Sequence, residues 1–299
     1  MSSDPDAFIR DLIKTALAED VGPGDVTTLA TIPAGTPAQA YFLAKADGVL
    51  SGLEIARLVF EAVDPSVAVS YTLADGDAVI AGTRFGTVVG PARSVLVGER
   101  LALNLMQRMS GIATATRRMV DATGPHPARI LDTRKTAPGL RLLDKQAVIH
   151  GGGVNHRIGL YDMILIKDNH IAAAGGIDAV LDAANAYRKQ VDRRDLEVEI
   201  ETRTFAEIDQ VLGYLARHPG SVDRVLLDNM ARRTEAGLDV TMLAEAVQRI
   251  DGRLRTEASG NVTLETVPAI AATGVDFISS GALTHSVTAL DISLKVQVG

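Results

Sequence analysis

From Ala128 onward the chain repeats one phrase: a short apolar run, a polar or glycine-rich break, then a stretch with helical spacing. The apolar runs are "ARILDT", "MILIK", "LEVEI", "RVLLD", "LRTEA" and "DFISS". Between them fall segments such as "AGGIDAVLDAANAYRKQ", "RTFAEIDQVLGYLARH" and "TMLAEAVQRI", whose apolar residues recur at helical intervals. Short strands that alternate with helices build a parallel sheet with crossover helices, either open or closed into a barrel. In a barrel, chemistry collects where strands end and the following loops begin. Polar residues stand at those ends: Thr133, Arg134 and Lys135; Lys167 and Asp168; Glu199 or Glu201; Asp228; Ser259 and Gly260; Ser280 and Gly281.

The first third follows another rhythm. "DPDAFIRDLIKTALAED" puts Phe8, Leu12 and Ala16 on one helical face, "PAQAYFLAKADGVLSG" reads as a strand into a turn, and "GLEIARLVFEAV" is an amphipathic helix. "VAVSYTLADGDAVIAGTRFGTVVGPA" reads as strands broken at Asp-Gly and Gly turns. A long helical stretch then runs from Ser94 to Thr123, with Leu101, Leu105 and Met109 in register. The C-terminal "LDISLKVQVG" is expected to return to this region as an edge strand.

Charge narrows the ligand. The 299 residues hold 30 Lys+Arg against 37 Asp+Glu, a net charge of −7. Residues 129–171 reverse that balance, with Arg129, Arg134, Lys135, Arg141, Lys145, Arg157 and Lys167 against Asp132, Asp144, Asp162 and Asp168. Cations gathered at one rim repel one another unless an anion relieves them. Arg offers a planar bidentate fork and Lys a compact point charge, so the mixture suits a ligand with several anionic groups. An acidic chain with 4% aromatics does not fit nucleic acid, whose binders need basic stripes and stacking rings. No apolar run approaches the ~20 residues of a membrane span. The polar N-terminal "MSSDPDAFIR" carries no secretory pattern, and there is no cysteine for disulfides, thiol catalysis or Cys-ligated zinc. These features lead us to expect a cytoplasmic protein that binds small anions.

Acids and small residues end the later strands. Alternation places Glu197, Glu199 and Glu201 on one face, and Glu199 with Asp228 suits sugar hydroxyls or a Mg²⁺ that bridges phosphates. "EASGNVTLETV" and "ISSGALTHS" lead from a strand toward a helix or turn, where backbone N–H groups can take phosphate. His150, His156, Asp168 and His170 lack a helical i, i+4 pair, so no structural zinc site is expected; His156 reads as a ligand hydrogen-bond donor. "GxGxxG" is absent, and with it the dinucleotide fingerprint.

The blocks "EDVGPGDVTT", "GERLALNLMQRMSGIAT", "DTRKTAPGLRLLDKQAV", "GGGVNHRIGLYDMILIKDNHI", "VEIE", "LLDN" and "EASGNVTLETVPAIAATGVDFISSGALTHS" run nearly end to end. Together they resemble the quinolinate phosphoribosyltransferase family. The resemblance implies an N-terminal α/β sandwich domain, residues 1–112, joined by a C-terminal strand at 287–299. It implies an incompletely closed parallel α/β barrel over residues 113–286. The implied reaction joins quinolinate to phosphoribosyl pyrophosphate with Mg²⁺, giving nicotinate mononucleotide, pyrophosphate and CO₂ in de novo NAD biosynthesis. On that resemblance Arg134, His156, Arg157 and Lys167 hold the quinolinate carboxylates, beside Thr133 on the same substrate-binding rim. Arg100 would reach the pocket from the other subunit of a homodimer. Lys135 would contact the pyrophosphate or sugar, and Glu199 and Asp228 the ribose hydroxyls and metal; these three are the implied catalytic residues. Ser259, Gly260, Asn261, Ser280, Gly281 and Ala282 would line the phosphate end. Thr256 departs from the aliphatic residue expected before "EASG". The alternatives are a molybdate-transport-associated paralogue, which departs at the "LIKDNH" kept intact here, a nicotinate-specific transferase and a non-catalytic anion-binding protein.

Overall fold

Alternation shapes the first unit. Along the strand Pro37–Ala44, Ala38, Ala40, Phe42 and Ala44 are buried while the residues between them turn outward. In the computed structural model, which describes residues 4–235 and 237–298, this strand lies inside a four-stranded antiparallel sheet. The order is Ile292–Val298, Pro37–Ala44, Arg84–Pro91, Ala68–Tyr71. The C-terminal strand is therefore an edge strand of the N-terminal sheet.

Three aromatic rings knit this core. Phe42 stacks on Phe85 with centroids 5.6 Å apart and meets Phe60 edge-on at 6.5 Å. All three are fully buried, and each ring removed from water is worth roughly 1.5–3 kcal/mol. Phe60 comes from the helix Leu53–Val63, Ile13 from Pro5–Val21, and Met106 and Met109 from the 31-residue helix Ala92–Ala122. Pro5–Val21 starts where Asp4 accepts the Asp6 N–H at 3.0 Å and Pro5 fills a first-turn position that needs no donor.

The chain divides into two units. One takes the chain up to Arg117, Thr136–Gly152 and the chain from Leu283 on; the other takes Arg118–Lys135 and Gly153–Ala282. The expected division into 1–112 with 287–299, and 113–286, assigned residues 136–152 to the barrel; here they group with the first unit. The helix Arg141–His150 explains this, because it places Leu143, Ala147 and Val148 in the first core. Its Asp144, also fully buried, takes Arg108 Nε and Nη2 at 2.8 Å each and the Ala137 N–H at 3.2 Å. Residues 1–3, Ala236 and Gly299, which the expected ranges include, lie outside the described residues.

The second unit carries the repeated phrase. Its six parallel strands run in the order Arg129–Leu131, Phe277–Ser279, Arg255–Ser259, Arg224–Asp228, Val198–Thr202, Ile164–Ile166. The first and second strands in the chain sit at opposite edges and do not pair with each other, so the sheet is not closed. Helices Ile177–Gln190, Phe205–Arg217 and Thr241–Ile250 are the crossovers read from sequence, shorter at some ends. Phe205–Arg217 opens with a reciprocal cap: the Glu207 N–H donates to Thr204 Oγ1 at 3.2 Å, and the Thr204 N–H to Glu207 Oε2 at 2.9 Å. A two-stranded ribbon, Arg232–Thr234 with Gly237–Asp239, follows the fourth strand in the chain and was not foreseen. Thr256, the departure noted above, donates its hydroxyl to Asp276 Oδ2 at 2.8 Å and accepts the Asp276 N–H at 3.0 Å. An aliphatic residue could not make that clasp.

Asp144→Ala would strand the partly buried Arg108 guanidinium without its bidentate partner. The loss expected in urea denaturation is about 3 kcal/mol, in the range for breaking a buried ion pair from one side.

Candidate active site

Parallel register brings the strand ends of the second unit to one rim. Ser259 pairs opposite Asp228, Ala258 opposite Ile278, Ser279 opposite Leu131 and Ile166 opposite Ile200. The next residues along the strands follow the same register, so Asp132 emerges beside Ser280 and Lys167 beside Glu201.

The cations meet by a route that strand order alone does not offer. Adjacent first and second strands would bring Arg134, Lys135, Arg157 and Lys167 together directly, and those strands are not neighbours. Instead the segment after Gly153 runs beside the first strand through a parallel bridge between Leu131 and Val154. Buried Asp132 accepts the His156 N–H at 2.8 Å, and Asp162 accepts the Ile158 and Gly159 N–H groups at 2.6 and 2.8 Å. This tethering sets Arg157 near Arg134. Burial pulls the Arg157 pKa down, and the positive charge of Arg134 adds to that effect. Arg134 Nε is buried with no hydrogen-bond partner among the described residues. A half-buried pair of guanidiniums with an unspent donor is a receptor for a carboxylate or phosphate.

The other expected cations are dispersed. Lys167 follows the opposite edge strand, with Nζ 3.7 Å from Glu201 Oε2. Thr133 Oγ1 accepts the Lys135 N–H at 3.1 Å, which shapes the turn, and the Lys135 side chain is exposed. Arg100 is exposed on Ala92–Ala122 in the first unit.

Depth sorts the carboxylates. Glu197 lies before its strand and pairs with Arg255 at 2.7 Å, away from the strand ends. Glu199 is fully buried, with Oε2 2.9 Å from His156 Nε2. Glu257, also buried, lies 3.4 Å from the same nitrogen and 2.9 Å from Arg224 Nη1. Glu201 and Asp228 stand nearer the rim around Arg203, which sequence reasoning missed because it counted Arg203 as the start of the helical segment "RTFAEIDQVLGYLARH". Glu257 and Arg224 were missed as well. Their signal was a charged residue within each of two apolar strands, which lie beside one another in the sheet.

His156 Nε2, Glu199 and Glu257 offer ligand atoms within 4.8 Å of one another, the spacing of a metal centre. The imidazole does not fit that role. Burial works against a charge on the ring, but Glu199 and Glu257 raise its pKa to about 9, so Nε2 keeps a proton facing the carboxylates; in the neutral ring Nδ1 accepts the Arg157 N–H at 2.7 Å. His156 thus holds the interior together, and both of its nitrogens are engaged. Burial pushes the Glu199 carboxyl up, and the charge of Glu257 adds to it. Burial also works against the charge of Glu257, but His156, Ser279 and Arg224 hold its carboxyl below the usual range.

The phosphate end is a set of turns. Gly260 and Asn261 both adopt positive φ, +94° and +55°, and a Cβ on Gly260 would collide with Asn229 Oδ1. Asn229 N–H donates to Ser259 O at 2.8 Å and Asn261 Nδ2 to Ala231 O at 3.0 Å, which ties the two strand ends together. The Ser280 N–H is spent on Leu131 O at 3.0 Å. The helices beyond, Val267–Ala271 and Ala282–His285, have only five and four residues, so the expected backbone N–H groups would come from turns rather than from a strong helix-end field.

An open parallel α/β barrel with an arginine pair at its strand ends defines a barrel enzyme for acidic small molecules. Residues 25–110 match the model of the quinolinate phosphoribosyl transferase N-terminal domain, and residues 112–295 that of its C-terminal domain. The chain is 54% identical over 295 residues to a decarboxylating quinolinate phosphoribosyltransferase 1 of Nicotiana glauca, covering 98% of this chain and 83% of that protein. It is 56% identical over 297 residues to the chloroplastic carboxylating nicotinate-nucleotide pyrophosphorylase of Arabidopsis thaliana, covering 99% and 84%. The solved nicotinate-nucleotide pyrophosphorylase of Francisella tularensis superposes with a TM-score of 0.88 at 36% identity, over 99% of this chain and 98% of that one. This chain belongs to the quinolinate phosphoribosyltransferase family. Among the described residues, no helix is long and apolar enough to cross a membrane.

Glu199 gives the site a pH signature. Where an unfolded glutamate has ionised and Glu199 has not, the folded chain holds the extra proton, so stability falls as pH rises through that window. Glu199→Gln is expected to remove this fall. Thermal midpoints of variant and wild type should agree near pH 5 and diverge by pH 8 with the variant higher; parallel profiles would mean Glu199 is ionised throughout.

Proposed function

We propose that this chain transfers the phosphoribosyl group of phosphoribosyl pyrophosphate to the ring nitrogen of quinolinate and releases pyrophosphate and CO₂, leaving nicotinate mononucleotide for NAD biosynthesis. The observation that carries the reading is the unspent Arg134 Nε beside the half-buried Arg157. Two guanidiniums held together against their own repulsion match a ligand with adjacent carboxylates.

Each residue has a role in that chemistry. Arg134 and Arg157 orient the dicarboxylate so that its ring nitrogen faces the anomeric carbon, with Lys167 adding charge. His156 contributes from behind, by fixing the Arg157 backbone. Leaving-group departure builds positive charge on the sugar, which Asp228 at the strand end favours while it holds the ribose hydroxyls. Lys135 meets the departing pyrophosphate. The turns at Ser259, Gly260, Asn261, Ser280, Gly281 and Ala282 enclose the sugar phosphate. Once alkylated, the cationic ring nitrogen stabilises the electron pair that departing CO₂ leaves on the adjacent ring carbon, and that carbon takes a proton from water.

Mg²⁺ belongs to the proposal as the partner of the pyrophosphate, whose negative charge it offsets when bound. Asp228 suits it as a hard oxygen donor at the rim. Glu199 would offer it Oε1, which is buried without a hydrogen-bond partner among the described residues, while its Oε2 is engaged with His156. We further propose a homodimer in which Arg100 enters the partner's site, and a cytoplasmic location. The exposure of Arg100 on its helix supports the first, and the cysteine-free composition is in keeping with a reducing compartment.

Steady-state assays with phosphoribosyl pyrophosphate and Mg²⁺ should release one CO₂ per quinolinate consumed and turn over nicotinate poorly. Comparable use of nicotinate would remove the dicarboxylate reading. Mixing inactive Arg100→Ala and Lys167→Ala protomers should restore part of the activity, since one site of the mixed dimer keeps both residues. No recovery would place the whole site within one chain.

A further inference from the structure

Arg203 sits at a junction of three strand ends. Its backbone is fixed by the helix that follows: the Arg203 N–H donates at 2.7 Å to Glu207 Oε2, the oxygen that also caps Thr204. From that anchor the guanidinium addresses three carboxylates at once. Nη1 lies 2.9 Å from Asp168 Oδ2, Nη2 2.8 Å from Glu201 Oε1, and Nε 3.1 Å from Asp228 Oδ2. The acids come from the ends of the adjacent strands Ile164–Ile166, Val198–Thr202 and Arg224–Asp228. Each guanidinium nitrogen lies within ion-pair distance of a different acid, with hydrogen-bond geometry at Asp228.

Lys167 faces the same acids less closely. Its Nζ is 3.7 Å from the other oxygen of Glu201, and half of its side chain is exposed. Glu201 is 5% exposed, so its charge requires a nearby cation. Burial, followed by the charge of Asp228, raises its pKa, whereas Lys167 and Arg203 oppose that rise. If Arg203 were absent, Lys167 would be the remaining cation in contact with Glu201, and its flexible stem would let it close onto the acids.

We infer that Arg203 is a positioning residue for Lys167: by neutralising Glu201, Asp228 and Asp168 it keeps the Lys167 ammonium available to an anionic substrate. The inference rests on the proposed role of Lys167 at a quinolinate carboxylate. It assigns the two cations different duties according to their shapes. A planar fork with several donors can satisfy three acids from fixed directions, while an ammonium on a flexible stem can turn toward a ligand.

Calorimetric titration of quinolinate into wild type, Arg203→Ala, Glu201→Gln and the double variant tests this, with thermal melts confirming that each is folded. Arg203→Ala should weaken quinolinate binding about tenfold, the scale of one charged hydrogen bond. The double variant should recover to within about threefold of wild type, because the acid that captures Lys167 is gone. In turnover the Arg203→Ala defect should appear in KM for quinolinate more than in kcat, with Arg203→Lys intermediate. A merely structural role for Arg203 predicts that adding Glu201→Gln brings no recovery, and that result would overturn the inference. So would wild-type affinity in Arg203→Ala. If wild type bound no quinolinate, or Lys167→Ala bound it as well as wild type does, the functional reading itself would fall, an outcome distinct from missing recovery.

Discussion

Everything at the rim depends on strand polarity. A parallel sheet delivers every strand's C-terminal end to one side, and the crossover helices carry the chain back so that each new strand starts at the other. The register Ser259 opposite Asp228, with Ile278 opposite Ala258, makes that delivery specific to the residue. Shifting one strand by a single residue would exchange its inward and outward side chains, moving Glu199 and Glu201 out of the interior together.

Within this frame, charge is sorted by depth. Arg224, Glu257, His156 and Glu199 form a buried polar network behind the rim, and burial makes each bond in it matter more. Its consequence reaches outward, because the ring that donates to Glu199 through Nε2 accepts the Arg157 N–H at Nδ1. The same histidine therefore joins the interior carboxylates to the backbone of a rim cation. At the rim itself the balance reverses on two sides. Arg134 and Arg157 repel each other, whereas Asp168, Glu201 and Asp228 gather around Arg203. One side is short of anions, and on the other three acids share Arg203 and the nearby Lys167.

The open edge of the barrel is part of this arrangement. Since Arg129–Leu131 and Ile164–Ile166 do not pair, the chain between them is free of sheet register. It can run beside the first strand through Leu131 and Val154 and present Arg157 from a loop held by Asp132 and Asp162. A closed barrel would have spent those backbone groups on a strand ladder.

The amino-acid order determined the local pieces. Periodicity alone marked Arg224–Asp228, Thr241–Ile250 and Leu53–Val63 within a residue or so, because their apolar faces repeat without interruption. It also placed Arg134, Lys167, Asp228 and Ser259 at strand ends, and the family likeness named the chemistry. What it could not supply was which ends become neighbours. The approach of Arg157 to Arg134, the retreat of Glu199 onto His156, the three-acid grip of Arg203 and the grouping of residues 136–152 with the first unit arise from pairings distant in sequence. Such pairings depend on how the sheet curls and where it stays open. Short-range spacing carries no record of either, so only the tertiary structure decided them.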